Sequence, residues 1–202
     1  MKKILCIGDS NTYGYDPRSY IGDRYPEDVR WTSCLSDSFV INRGLNGMKI
    51  PINYERYLGL IRLENPDLVT VMLGTNDILS GVSAEQTSKR IDAFISHIRD
   101  EGKRILLIAP PHLQFGEWVQ SEDYLDESRE LAGYYREVAN NNGCMFADAG
   151  EWDIELTFDG VHFSEEGHKI FAQKLNDYIS EIELIENDID EDIHEPCLRF
   201  QR

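Results

Sequence analysis

Basic residues are scarce in this chain: 20 lysines and arginines stand against 37 acidic residues, and the formal net charge is −17. A protein that binds nucleic acid presents a basic face to the phosphates, and anionic membranes attract basic segments in the same way. The charge therefore argues against nucleic acid and anionic membranes as partners. A surplus of one sign favours solubility instead.

Long apolar runs are also missing, because no stretch approaches the roughly 18 residues that span a membrane. The start of the chain resembles a signal peptide, but its apolar run, 4–7, stops at Gly8. That is short of the about 7–15 apolar residues that a signal peptide needs. We therefore interpret the run as a strand and expect a cytoplasmic protein.

Cysteines are few, and the four present, Cys6, Cys34, Cys144 and Cys197, include no Cys-x-x-Cys pair. The spacing indicates neither a zinc site nor a redox motif, and we expect no metal. Cys6 and Cys144 lie in apolar runs and are expected to be small buried hydrophobic residues. The sequence also lacks Gly-x-Gly-x-x-Gly and a P-loop, which argues against a nucleotide-binding module.

The chain does contain a regular alternation of short apolar runs with longer amphipathic segments. Its 202 residues, 41% of them hydrophobic, suffice for one domain with a sizeable core. The run 68–73 is almost entirely apolar, which is typical of a central parallel strand covered on both faces. Because strands alternate with helices, we expect a parallel sheet with helices on both faces. The predicted strands are 3–7, 39–42, 68–73, 105–109 and 144–147, and the predicted helices are 31–38, 51–64, 83–100, 121–141 and 164–182.

Two segments depart from this alternation. Residues 11–29 are rich in Tyr, Gly, Asp and Pro and are expected to form a loop, whose length suggests a function. Residues 183–202 are acidic with scattered Ile, Leu and Phe. We interpret them as either a mobile tail or an arm that packs on a neighbouring subunit of a homo-oligomer. The predicted domain therefore spans residues 1–182.

Ser10 follows the first strand in the motif Gly8-Asp9-Ser10, so its hydroxyl is expected at the carboxyl edge of the sheet, where open α/β sheets bind ligands. A serine in such a turn often only caps a helix, and Asp9 is expected to fix the turn. Far downstream, Asp159 and His162 alone would fit a simple turn. Together with Ser10 they provide what nucleophilic catalysis needs: His162 takes the serine proton and Asp159 orients the histidine.

Three donors are candidates for binding the oxygen that becomes negative when an ester is attacked. The first is the backbone N–H of Ser10, and the second is a backbone N–H at Gly47, with Gly44 as the lower-ranked neighbour. The third is the side-chain amide of Asn76, which donates without a proton that it could lose. The adjacent Asp77 is expected to be structural.

These residues fall in four blocks, and the chain resembles the GDSL, or SGNH, family of serine hydrolases. Gly8-Asp9-Ser10 matches the first block of that family, and Asn42–Gly47 contains the glycine of the second. Gly74–Asp77 matches the Gly-x-Asn-Asp block, and Asp159–His162 matches the Asp-x-x-His block. The segment 22–31 further resembles the arylesterase-type branch.

The resemblance implies a flavodoxin-like, three-layer α/β/α fold with a five-stranded parallel sheet. It also implies hydrolysis of short-chain carboxylic esters, aryl or alkyl, through an acyl-enzyme, with no metal and no organic cofactor. Alternatives are a carbohydrate O-acetyl esterase, a lipid esterase of lysophospholipase or thioesterase type, and a non-catalytic binding module. The first block has Asn11 where the family name implies leucine, which leaves the acyl-chain preference open.

Other aromatic and histidine residues have two interpretations. Tyr13, Tyr15 and Trp31 either line a substrate pocket or pack in the core. His112 follows the fourth predicted strand at the same edge, where contact with substrate is the less favoured interpretation. The remaining histidines are expected to be solvated: His97, His168 and His194.

Overall fold

The computed structural model describes residues 1–19, 21 and 23–194, and its strands form one parallel sheet of five. The strand order is β2-β1-β3-β4-β5, which is the order of flavodoxin-like folds. Every neighbouring pair in the sheet is parallel. The predicted fold class is therefore confirmed. The strands are β1 (Lys2–Gly8), β2 (Ser38–Gly44), β3 (Leu68–Met72), β4 (Arg104–Ala109) and β5 (Met145–Asp148).

Helices cover both faces of the sheet and bury two separate clusters of apolar side chains. Successive side chains of a strand point to opposite faces, so Leu5 and Ile7 belong to one cluster while Ile4 and Cys6 belong to the other. This arrangement explains why the strands read as continuous apolar runs. The helices are α1 (Ser10–Tyr13), α2 (Glu55–Glu64), α3 (Thr75–Ile78), α4 (Ala84–Asp100), α5 (Glu122–Asn142) and α6 (Glu165–His194).

The helix boundaries differ from the prediction at three places. The segment expected to be helical over 31–38 is a 3₁₀ turn, Trp31–Ser33, and α2 begins at Glu55 rather than near Pro51. The last helix was expected to end near Ile182, and α6 continues to His194. The domain boundary predicted at residue 182 stays a prediction. Residues 195–202 lie outside the described residues.

The described helices contain none that is long and apolar enough to cross a membrane. The carboxyl ends of β1, β2, β3 and β5 lead into the segments that carry the predicted site residues. Since parallel strands end at one edge of the sheet, the fold brings these segments together there.

Candidate active site

Ser10 is the first residue of α1, a single helical turn that directly follows β1. The side chain of Asp9 caps this turn by accepting a hydrogen bond from the backbone N–H of Asn11, 3.0 Å away. Burial raises the pKa of Asp9 to about 6, although the hydrogen bond from Asn11 acts in the opposite direction. The expected structural role of Asp9 agrees with this geometry, since the carboxylate holds the turn that presents Ser10.

The side chains of Ser10, His162 and Asp159 form a continuous chain of hydrogen bonds, and all three are buried. Nε2 of His162 lies 2.9 Å from the Ser10 hydroxyl oxygen, and Nδ1 lies 2.7 Å from Oδ2 of Asp159. A carboxylate can only accept, so Nδ1 carries the ring proton and Nε2 accepts from the serine hydroxyl. In this arrangement the imidazole can take a proton from Ser10.

Asp159 is held in its ionised form by several donors. Its second oxygen, Oδ1, accepts from the backbone N–H groups of Val161 and His162, each at 2.9 Å. It also accepts from the hydroxyl of Thr157 at 2.9 Å. Burial would raise the pKa of Asp159, but hydrogen bonds from the ring and backbone of His162 and from the Val161 N–H outweigh it and lower the pKa to about 2. The carboxylate thus remains charged opposite the imidazole.

Gly160 allows the tight loop between the acid and the histidine. Its φ is +78°, in the left-handed region that favours glycine. A Cβ at this position would lie 2.0 Å from the backbone oxygen of Gln114. Any larger residue would therefore both strain the backbone and collide with the neighbouring loop.

Gly47 and Asn76 lie on neighbouring segments, which follow β2 and β3. The Asn76 amide donates to the carbonyl oxygen of Met48, the residue after Gly47, over 3.2 Å. Within the described part of the chain this uses one amide N–H and leaves the other without a hydrogen-bond partner. Gly47 has φ +69°, and no atom lies within 4 Å of where its Cβ would stand, so its backbone is open to approach.

Asp77 is fully buried and ties this region to the scaffold. Its Oδ2 accepts from the backbone N–H of Ile50 at 3.0 Å, and its Oδ1 pairs with Arg90 at 2.7 Å. The bond to Ile50 fixes the segment that follows Gly47, while the pair with Arg90 anchors it to α4. This geometry agrees with the structural role expected for Asp77.

The side chain of Asn11 joins the serine turn to the histidine loop. Its Nδ2 donates to the carbonyl oxygen of Val161 at 3.0 Å, and its Oδ1 accepts from the N–H of Phe163 at 2.9 Å. These two residues flank His162 on either side. The indole of Trp31 donates to the backbone oxygen of Asn11 at 2.9 Å. Asn11 is buried, and its side chain holds the loop of His162 against the turn of Ser10.

Two aromatic rings pack against the imidazole of His162. The ring of Tyr15 lies 4.8 Å from it, centre to centre, and the indole of Trp118 meets it edge-on at 5.0 Å. Trp118 stays 53% exposed, so it forms an outer wall of the site. Its backbone N–H donates to the carbonyl oxygen of Asp159 at 3.2 Å, which fixes this wall to the loop of the acid.

Trp118 was missed by sequence reasoning. It lies between β4 and α5, the same connection that contains His112, but it belongs to none of the four family blocks. The only signal was its position after a strand that ends at the same edge. His112 instead lies against Gly150 and lines a different cavity. Trp31 is fully buried, which favours the core interpretation.

His168 is buried, so the expectation that it is solvated was wrong. It lies on the inner face of α6 between the rings of Tyr25 and Phe163. Burial lowers its pKa to about 3, and the nearby charge of Arg30 acts in the same direction. His97 is exposed, as expected, and nothing is described of the side chain of His194.

Among the residues that the structure describes, no group of three His, Cys, Asp or Glu side chains could hold a metal ion. Cys6 is buried, and burial raises the pKa of its thiol to about 12. Cys144 is only half-buried, less than expected. Cys197 lies outside the described residues.

Comparison with known proteins identifies the family. The sequence profile of the GDSL-like lipase/acylhydrolase family matches residues 6–170, which include all four blocks. The chain belongs to this family. The family resemblance that the four sequence blocks indicated is therefore confirmed.

Named relatives of this GDSL chain are esterases. An arylesterase of Vibrio mimicus is 29% identical over 122 residues, which cover 55% of this chain and 57% of that protein. The chain thus matches little more than half the length of this relative. The structure of the native aryl esterase of M. smegmatis has a TM-score of 0.80 at 27% identity, with 90% of this chain and 99% of that chain covered. A carbohydrate acetylesterase family member from Sinorhizobium meliloti has a TM-score of 0.77 at 29% identity, with 89% and 97% covered.

Proposed function

We propose that the protein is a serine esterase that hydrolyses short-chain carboxylic esters, with Ser10 as nucleophile. The observation that carries this proposal is the pair of contacts of His162, at 2.9 Å to the Ser10 hydroxyl and 2.7 Å to Asp159. Both distances suit proton transfer and orientation of the base. Membership of the GDSL family and the arylesterase relatives support the same reaction class.

In the acylation step, Oγ of Ser10 attacks the ester carbonyl carbon while Nε2 of His162 takes the hydroxyl proton. Asp159, ionised and bonded to Nδ1, stabilises the imidazolium that forms. The backbone N–H of Ser10, the backbone at Gly47 and the free amide N–H of Asn76 bind the developing oxyanion. The imidazolium then gives its proton to the leaving alcohol, which leaves an acyl group on Ser10.

Deacylation repeats these steps with water as the nucleophile. His162 takes a proton from the water, the oxyanion forms again on the same donors, and the carboxylic acid leaves as Ser10 regains its proton. The rings of Tyr15 and Trp118 pack against the imidazole and limit its access to bulk water. Exclusion of water strengthens the electrostatic interactions on which both steps depend.

A carbohydrate O-acetyl esterase is the second candidate, supported by the acetylesterase family member from Sinorhizobium meliloti. Both candidates require the same serine and the same acyl-enzyme. They differ in the alcohol part of the ester, so a comparison of aryl acetates with acetylated sugars separates them. A higher kcat/KM for the sugars than for the aryl acetates would favour this second candidate.

The proposed function is tested with p-nitrophenyl acetate and a fluorophosphonate probe. The protein should release p-nitrophenol, and the probe should label Ser10 and stop turnover. Ser10→Ala should remove both the turnover and the label. Ser96→Ala serves as the matched control, because Ser96 lies on α4 and its hydroxyl donates to the Ala93 carbonyl of its own helix. Label on another residue, with Ser10 unmodified, would refute the assignment.

A further inference from the structure

A cavity of about 240 Å³ lies beside α1, and three arginine side chains from different segments converge on it. Arg24 comes from the long loop after α1, Arg43 from the end of β2, and Arg56 from the first turn of α2. We call this cavity the arginine pocket. Tyr13 and Tyr57 also line it.

Arg24 is held in place by Tyr13. Its Nε donates to the backbone oxygen of Tyr13 at 2.7 Å, and the guanidinium carbon lies 4.2 Å from the centre of the Tyr13 ring. Burial lowers the pKa of Arg24, and the positive charge of Arg30 lowers it further. A cation held in these surroundings gains from an anion that approaches its remaining N–H groups.

Six of the arginines that the structure describes pair with carboxylates, and two of the three arginines of the pocket are not among them. In the part of the chain that the structure describes, neither Arg24 nor Arg56 has a carboxylate within ion-pair distance, and only Arg43 is paired, with Glu64 at 3.0 Å. Two guanidinium groups at one cavity thus stand outside any described ion pair, although the carboxylate of Glu27 attracts Arg24 from a longer distance. The arginines elsewhere that pair with acidic side chains are Arg18, Arg62, Arg90, Arg99 and Arg129.

The arginine pocket is close to the proposed nucleophile. Tyr13 belongs to the same helical turn as Ser10, and one turn of helix rises about 5.4 Å. The end of β2 packs against this turn, because Nδ2 of Asn42 donates to the backbone oxygen of Thr12 at 2.6 Å. Leu45, which also lines the pocket, stands two residues before Gly47. The arginine pocket therefore adjoins the helical turn that carries Ser10, on the side of β2.

We propose that the arginine pocket binds an anionic group, a carboxylate or a phosphate, on the ester substrate. Planar guanidinium groups match both anions, to which they donate two parallel hydrogen bonds. The overall charge of −17 repels anions at long range, so a local cluster of cations is needed to hold one near Ser10. This inference rests on the proposed esterase function and narrows its substrates to esters that carry negative charge.

The test compares two acetyl esters of similar shape, 4-acetoxybenzoate, which carries a negative charge, and 4-acetoxybenzamide, which is neutral. The measured quantity is the ratio of their kcat/KM values in wild type, Arg24→Gln and Arg56→Gln. Loss of one charge-assisted contact is expected to lower the ratio about tenfold in each variant. Arg62→Gln is the matched control, because Arg62 also lies on α2 but pairs with Glu101, and its ratio should equal that of wild type. An unchanged ratio in both pocket variants would overturn the proposal.

A binding experiment separates this proposal from the esterase function. Calorimetric titration of Ser10→Ala with 4-hydroxybenzoate needs no turnover, and binding should weaken about tenfold when Arg56→Gln is added. If wild type cleaves neither acetyl ester, the esterase proposal fails, while loss of binding in this titration still supports an anion site. Titration with inorganic phosphate forms the other arm. Phosphate binding that depends on Arg56, with no effect of Arg56→Gln on the ester ratio, would refute the substrate role and leave a site for a free anion.

Discussion

Asn11 donates a hydrogen bond to the carbonyl oxygen of Val161, 150 residues further along the chain. The same amide accepts from the N–H of Phe163, so the residues on both sides of His162 are bound to the residue after Ser10. A leucine, which the family name implies at this position, can make neither bond. In the sequence, Asn11 left the acyl-chain preference open. In the structure, its side chain supports the loop that carries His162.

We predict that Asn11→Leu lowers kcat by about 10- to 100-fold while KM changes little, because small displacements of a general base are costly. Asn142→Leu is the control. Asn142, on α5, is another buried amide, and its Nδ2 donates to the carbonyl oxygen of Val138 and to Oδ1 of Asp92. Both variants should lose stability, measured by urea unfolding, but only Asn11→Leu should lose turnover. A stable Asn11→Leu protein with wild-type kcat would contradict the positioning role.

We predict that Asn76→Ala lowers kcat by roughly 10²–10³, the cost of one lost oxyanion donor, with a much smaller effect on KM. Asn76→Asp should be at least as harmful, because it replaces a donor with a negative charge that faces the developing oxyanion. If Asn76 only shaped a turn, aspartate would substitute well. Steady-state kinetics and melting temperatures of both variants decide the question, and near-normal kcat in a stable Asn76→Asp enzyme would exclude the oxyanion role.

We predict that His168 makes the fold sensitive to acid. Its pKa is lowered from 6.5 to about 3, so the stability it contributes is complete above pH 6.5 and is lost as the pH falls toward 3. At pH 5 the unfolded chain binds a proton that the folded protein excludes, which costs about 2 kcal/mol relative to pH 7.

The measurement is urea unfolding of wild type, His168→Gln and the exposed-site control His97→Gln at pH 7 and pH 5. The stability of wild type relative to His168→Gln should fall by about 2 kcal/mol between the two pH values. The raised pKa of Asp9 has the opposite effect, because it increases the free energy of unfolding as the pH falls over the same range. This effect is common to all three proteins and cancels in the comparison. Equal pH dependence of wild type and His168→Gln would disprove the prediction.

Much of the fold could be predicted from the sequence because its strands are continuous apolar runs. The apolar run at β3 is typical of a strand covered on both faces. The other apolar runs alternate in the sequence with helical segments of ordinary length. The proximity of the four family blocks followed from the same pattern, since parallel strands end at one edge. The chemical roles of Ser10, Asp159 and His162 stay predictions until turnover is measured.

The features that were missed depend on short or mixed patterns. α1 has four residues, too few for any helical periodicity to show. His168 has Glu165, Glu166 and Lys169 as neighbours in the chain, yet it is three residues before Phe171 and shares its buried face. Trp118 lies in a connection without repeating pattern, so only the folded loop places it against the imidazole.

The two halves of the proposed site form at very different distances along the chain. The hydrogen bonds described for the Asp159 carboxylate come from residues within three positions of it in the sequence. The contact between His162 and Ser10 spans 152 residues. Local contacts cost little loop-closure entropy and can form early, while the long-range contact must wait until the first strand and the last loop meet. Recovery of esterase turnover after dilution from denaturant would therefore report the joining of the two ends of the domain, a late event in folding that spectroscopic probes of helix content do not see.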